Sequence, residues 1–162
     1  MKNTLKTILV AITIFTTVSC EEENALLGEW KLSSWYINIE MDLNNDTIKS
    51  YNLLDEANCE NKEVLTILAN ETLNFVNTYN PIVKISKRED VYKFNVQCDK
   101  GSIGFATTYK VLDDKIVIEP NGAEYSFNGK QLTRVFKDAI NIYNSDFTEI
   151  RETKDLVLNY TK

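Results

Sequence analysis

The sequence predicts an all-β fold, a small antiparallel up-and-down β-barrel of about eight to ten strands with at most one or two short helices. Three observations carry this. Apolar and polar residues alternate with period two over several stretches; in 91–98, for example, Tyr92, Phe94, Val96 and Cys98 share one parity and Lys93, Asn95 and Gln97 the other, the pattern of a half-buried antiparallel strand. Turn signals punctuate these runs at short intervals, above all Asn121-Gly122 and Asn128-Gly129. Asn-Gly between apolar runs marks a hairpin, because both residues tolerate the positive φ angles of a type I′ turn. Finally, consecutive hairpins favour a barrel over a sandwich, since neighbours in sequence can pair in order and the last strand can meet the first.

Taken in order, residues 28–41 (GEWKLSSWYINIEM) carry aromatic and β-branched side chains on both parities without proline, and read as a long first strand. A polar break at 42–46 leads to a short strand at 47–51. Residues 53–61, with Asp55, Glu56 and Glu60 and little β-branching, suit a brief helix or an ordered loop. Strands follow at 64–69 and 72–79, joined by a turn at Asn70-Glu71. Asn80-Pro81 breaks the run before a short strand at 82–85 and the alternating 91–98. A turn at 99–102 leads into 103–112, Asp113-Asp114 into 115–119, and the two Asn-Gly pairs into 123–127 and 131–136. Residues 138–144 fit either a strand or one face of a helix. Leu156, Leu158 and Tyr160 alternate in a closing strand. With no repeat and only two prolines, one compact unit is expected.

The first residues have a different character. Lys2 and Lys6 precede an apolar or threonine run from Ile8 to Val18, followed by Ser19-Cys20 and three glutamates. The run is too short to cross a bilayer, which takes about 20 residues, and has the basic front and small-residue end of a secretory leader. Val18-Ser19-Cys20 resembles the end of the lipobox of bacterial lipoproteins, with Thr17 departing from the usual aliphatic residue. This resemblance implies cleavage after residue 19 and a diacylglycerol and palmitate anchor on Cys20; a plainly secreted protein is the alternative. The expected organisation is a signal peptide at 1–19, a lipidated cysteine and acidic tether at 20–26, and a β-barrel domain at 27–162. Two or more acyl chains hold a protein stably to a membrane. Glu21-Glu22-Glu23 resembles an acidic tag that sends some Gram-negative lipoproteins to the outer membrane surface, and equally suits a solvated spacer.

Composition excludes more than it selects. The chain holds 24 acidic and 18 basic residues, and losing Lys2 and Lys6 with the leader would make the mature charge about −8. Such a surface repels phosphate, so no nucleic-acid partner is expected. Histidine is absent, which removes the commonest general base, Ser-His and Cys-His nucleophile pairs, and imidazole metal ligands. No enzyme, cofactor or metal is expected. Of three cysteines, Cys59 and Cys98 remain once Cys20 carries lipid, and an oxidising compartment favours a disulfide between them over two free thiols.

Leu27-Gly28-Glu29-Trp30-Lys31-Leu32-Ser33-Ser34 resembles the opening strand of the lipocalin-like lipoproteins of Gram-negative bacteria, with Gly-x-Trp shortly after the lipidated cysteine. The likeness continues, more loosely, through the acidic Cys59 segment, the hairpin series and the terminal strand. It implies a small barrel in which Gly28 and Trp30 are structural, with Arg134 or Arg151 laid over the Trp30 ring. The second lipocalin motif is not clearly present.

Trp35, Phe75, Phe94, Phe105 and Tyr109 could line a ligand-binding cavity, or could simply be core. An eight-stranded barrel is just wide enough to be filled or to hold one small ligand. Asp42, Asn44 and Asp46 have the first spacings of an EF-hand loop, which then fails at Thr47 and Leu53. The function expected is that of a lipid-anchored, monomeric envelope lipoprotein of the outer membrane. It would bind a small apolar or amphipathic molecule without catalysis; the alternative is a filled barrel that contacts another envelope protein.

Overall fold

A computed structural model describes residues 25–98, 101 and 103–162. The leader, Cys20 and most of the turn at 99–102 lie outside the described residues. The chain forms β1 (Gly28–Met41), β2 (Ser50–Asn52), α1 (Leu53–Glu56), β3 (Val64–Leu68), β4 (Thr72–Val76), β5 (Ile82–Arg88), β6 (Val91–Gln97), β7 (Phe105–Leu112), β8 (Lys115–Ile118), β9 (Glu124–Phe127), β10 (Gln131–Tyr143) and β11 (Ile150–Thr161). Eight strands, β1, β3, β4, β7, β8, β9, β10 and β11, pair in that order, each antiparallel to the next, and β11 closes on β1. The expected up-and-down barrel is therefore present, with one short helix, α1, among the elements of the described residues.

Two pieces depart from a plain meander. β2 lies beside the end of β1, with Met41 opposite Ser50. The hairpin β5–β6 leaves the wall between β4 and β7 and reaches the end of β10, where Ile85 and Ser86 pair in parallel with Ile142 and Tyr143. β1 runs parallel to β10, so β2, α1 and the β5–β6 hairpin all gather at the Met41 end, away from Gly28.

The double parity of β1 has a mechanical cause. Its register against β11 slips between Leu32 and Ser34, and such a bulge shifts every later side chain to the other face. Trp30 and Leu32 point inward before it; Trp35, Ile37, Ile39 and Met41 point inward after it, and all six are buried. A second irregularity, between Phe136 and Ile140 against β11, occurs within β10. It resolves the ambiguity at 138–144: Asp138 takes a φ of 51°, and the chain resumes as strand, with Ile140 and Ile142 buried.

The Asn-Gly turns differ from the expected type I′ geometry. Gly122 and Gly129 have φ of 67° and 85°, whereas neither asparagine lies in the positive-φ region. Each asparagine side chain bonds its own turn instead. Asn121 Oδ1 accepts from the Ala123 N–H, and Asn128 Oδ1 accepts from those of Lys130 and Gln131. The loops are accordingly longer than two residues, with glycine in the left-handed position of a bulged turn.

Trp30 sits at the Gly28 end, fully buried. Its indole N–H donates to the Leu26 carbonyl at 2.8 Å, and the Phe127 ring meets it edge-on at 5.7 Å. The cation over its ring is Lys162, whose Nζ lies 4.9 Å from the centroid, in place of either expected arginine. Lys162 also donates to the carbonyls of Ala25 and Leu27, fastening the residue after β11 to the segment that enters β1. Gly28, with φ of 116°, holds a conformation that a side chain would strain. Arg151 instead pairs with Glu149 on the surface at 2.9 Å, and Arg134 lies inside the barrel.

Cys59 and Cys98 form a disulfide, with Cα atoms 5.2 Å apart. It ties the end of β6 to the segment that joins α1 to β3.

Candidate functional site: the barrel interior and its far rim

Alternation along each strand decides what the barrel encloses. Leu65 and Ile67 of β3, Ile116 of β8, Tyr125 of β9, Leu132 of β10 and Tyr160 of β11 are each at most 1% exposed, and they belong with Trp30 to one buried cluster. Close packing of large side chains is the normal state of a protein interior.

Among the inward positions that carry charge are Glu63 and Arg134. Glu63 precedes Leu65 and Ile67 on their parity, and Arg134 lies between Leu132 and Phe136. Glu63 is 3% exposed. Its carboxylate accepts from the Tyr160 hydroxyl at 2.6 Å and from the Tyr79 N–H at 2.7 Å. Arg134 donates to the Tyr125 hydroxyl at 3.1 Å and lies 4.1 Å over the Phe136 ring, while the Tyr125 and Tyr160 rings meet edge-on at 6.0 Å. Burial pushes the phenol of Tyr79 up to about 12 and that of Tyr160 upward as well. Glu63 thus holds Tyr160 and Arg134 holds Tyr125, whereas the buried Tyr79 hydroxyl has no partner among the described residues.

Burial also holds the Glu63 carboxyl above its ordinary 4.5, against the two hydrogen bonds and the Arg134 charge that pull it down. The folded chain therefore keeps this proton at pH values where the unfolded chain has released it. The resulting stability is complete below 4.5 and declines as pH rises through the folded value. Glu63→Gln lacks this titration and loses one acceptor, at a cost of about 1–3 kcal/mol. Urea midpoints should show the wild type's advantage over Glu63→Gln largest at acid pH and narrowing toward neutrality. A difference that stays flat or widens with pH contradicts the assignment.

The five aromatic candidates divide between the core cluster and its margins. Trp35, Phe75 and Tyr109 are buried in the core cluster. The Trp35 N–H donates to Asn52 Oδ1 at 2.8 Å, and the Tyr109 hydroxyl donates to the Leu68 carbonyl at 2.9 Å. Phe105 stacks on Phe75 at 4.3 Å yet stays half exposed. Phe94 of β6 is partly buried against the core cluster, at the rim.

Concavities open at that rim. A cleft of about 770 Å³ runs between the end of β1 with β2 and the start of β6, lined by Ile39, Met41, Leu43, Tyr92 and Phe94, with Glu40, Asp42 and Asp90 around it. A second cleft of about 300 Å³ shares Leu43 and Phe94 with it and continues toward Cys59 and Cys98. On the far side of the disulfide, Asn77, Thr78, Tyr79 and Pro81 border a third, of about 450 Å³. This rim was not legible in the alternation pattern, because it depends on where the β5–β6 hairpin docks. The Asp42 loop bonds itself: Asn44 Nδ2 donates to Asp46 Oδ2 at 3.0 Å, and Asp46 Oδ1 accepts the Ile48 N–H at 2.8 Å, as in ordinary Asx turns.

The class defined by this geometry is a closed eight-stranded antiparallel barrel with a packed interior and a cleft at the rim away from its N-terminus. No family model matches the chain, and no curated protein or solved structure shows significant similarity to it.

Proposed function

We propose that the protein is a lipid-anchored lipoprotein of the cell envelope, lipocalin-like in build, whose barrel is a solid scaffold and whose contacts are made at the rim near Met41. The observation that carries this reading is the packed interior: Trp30, Leu65, Tyr125 and Tyr160 occupy the space in which a lipocalin-like domain would hold a ligand. The reading favours contact with another envelope protein over capture of a small apolar or amphipathic molecule inside the barrel.

Covalent geometry supports the orientation. The few residues between Cys20 and Ala25 reach at most about 17 Å, whereas β1, if straight, spans roughly 45 Å from Gly28 to Met41. A lipid on Cys20 therefore keeps the Trp30 end near the membrane and turns the rim cleft away from it. Metabolic labelling with palmitate tests the anchor. The full-length protein should incorporate label and Cys20→Ala should not; an unlabelled wild-type protein overturns the reading.

A further inference from the structure

We propose that the free edge of β6, with the groove beside it, takes an extended segment of a partner protein that carries basic side chains, added as a further strand. This deepens the reading of the rim as the contact surface and rests on it. In a barrel closed by the β10–β11 and β11–β1 ladders, β6 ends the strand order, with β5 on one side and no strand on the other among the described residues. An open edge presents a row of unpaired N–H and C=O groups that another chain can complete. Proteins usually blunt such edges with proline, bulges or several charges. β6 reads VYKFNVQ, holds one lysine and no proline, and pairs with β5 from Val91 to Gln97 without a break in register.

The groove supplies both side-chain contact and charge. Tyr92, Phe94 and Val96 are half-buried on the inward face of β6, and Met41 and Leu43 form the opposite wall. Three carboxylates, Glu40, Asp42 and Asp90, line the larger cleft against a single cation, Lys49. Among the described residues, Glu40 is bonded to a neutral phenol, Tyr51, at 3.1 Å, and one oxygen of Asp42 is buried without a donor. Lys87, stacked on the Tyr92 ring, is already paired with Glu152. An incoming strand is therefore matched by lysine or arginine side chains. A second copy of this chain, formally −6 overall, would bring the same acidic groove against itself.

The test is hydrogen–deuterium exchange on the full-length protein with an acetylated, amidated heptapeptide alternating lysine and valine. The expected result is protection of residues 91–97 by about tenfold or more, absent when every peptide amide is N-methylated and absent when glutamate replaces lysine. The double variant Asp42→Asn, Asp90→Asn should weaken binding about tenfold. Four results overturn the proposal: no protection of 91–97, equal protection by the N-methylated peptide, equal protection by the glutamate peptide, or concentration-dependent protection without peptide, which would assign the edge to a second copy. Palmitate labelling reads the anchor separately, so failure here leaves that test standing.

Discussion

Trp30→Ala should lower unfolding free energy by about 3–5 kcal/mol, the cost of emptying a fully buried aromatic site. The indole is 0% exposed, donates to Leu26, meets Phe127 edge-on and carries Lys162 over its face. Truncation removes all three contacts and leaves the Leu26 carbonyl without its donor. A domain of this size has a stability of about 5–15 kcal/mol, so the variant should sit near the folding threshold. Trp30→Phe, which keeps most of the ring and loses the donor, should cost less. Urea unfolding followed by circular dichroism decides: a loss below about 1 kcal/mol for Trp30→Ala would mean that this ring lines open space and not core.

The second large effect belongs to the disulfide. Cys59 and Cys98 are 39 residues apart, and opening a loop of that length costs about 4 kcal/mol in the chain-entropy model. The local consequence is more diagnostic than the global one. The β5–β6 hairpin is held to the barrel by a short parallel ladder at Ile85 and Ser86 and by Glu152, which accepts from Tyr92 at 3.2 Å and pairs with Lys87 at 3.6 Å. With Cys59 and Cys98 both changed to serine, residues 82–97 should lose amide protection before the barrel strands do, because weakly tethered units open first. A urea midpoint and hairpin exchange indistinguishable from wild type would show that the bond contributes nothing to either.

How much of this was legible in the sequence follows from which contacts are local. Alternation and turn residues are local, so the strands at 28–41, 64–69 and 91–98 could be read directly, while 53–61 was open to a brief helix or an ordered loop. The double parity of β1 was visible too, but its cause, the slip at Ser33, depends on β11 more than a hundred residues away. The β5–β6 excursion depends likewise on a parallel pairing with β10 that no neighbouring residue announces. At 138–144, apolar spacing alone fitted two structures, and pairing with β11 selected one.

The site was less legible than the fold. Period-two patterning says which side chains point inward; it does not say whether their volumes meet. Hence Trp35, Phe75 and Tyr109 suited a cavity wall as well as the more usual core. One signal was available and unused: Glu63 and Arg134 fall on inward parities beside Leu65 and Leu132, and charge in such places points to an interior network. The cation over Trp30 was misplaced for a different reason, since Lys162 reaches it from the opposite end of the chain.

Whether the barrel is full decides what it can do. Trp30 and Trp35 both face its interior, so any molecule held there must lie against at least one of them. Titrating the folded protein with a brominated fatty acid while following tryptophan fluorescence measures this directly. The packed interior predicts no saturable quenching; stoichiometric, saturable quenching would contradict it and return the barrel to a ligand-binding role.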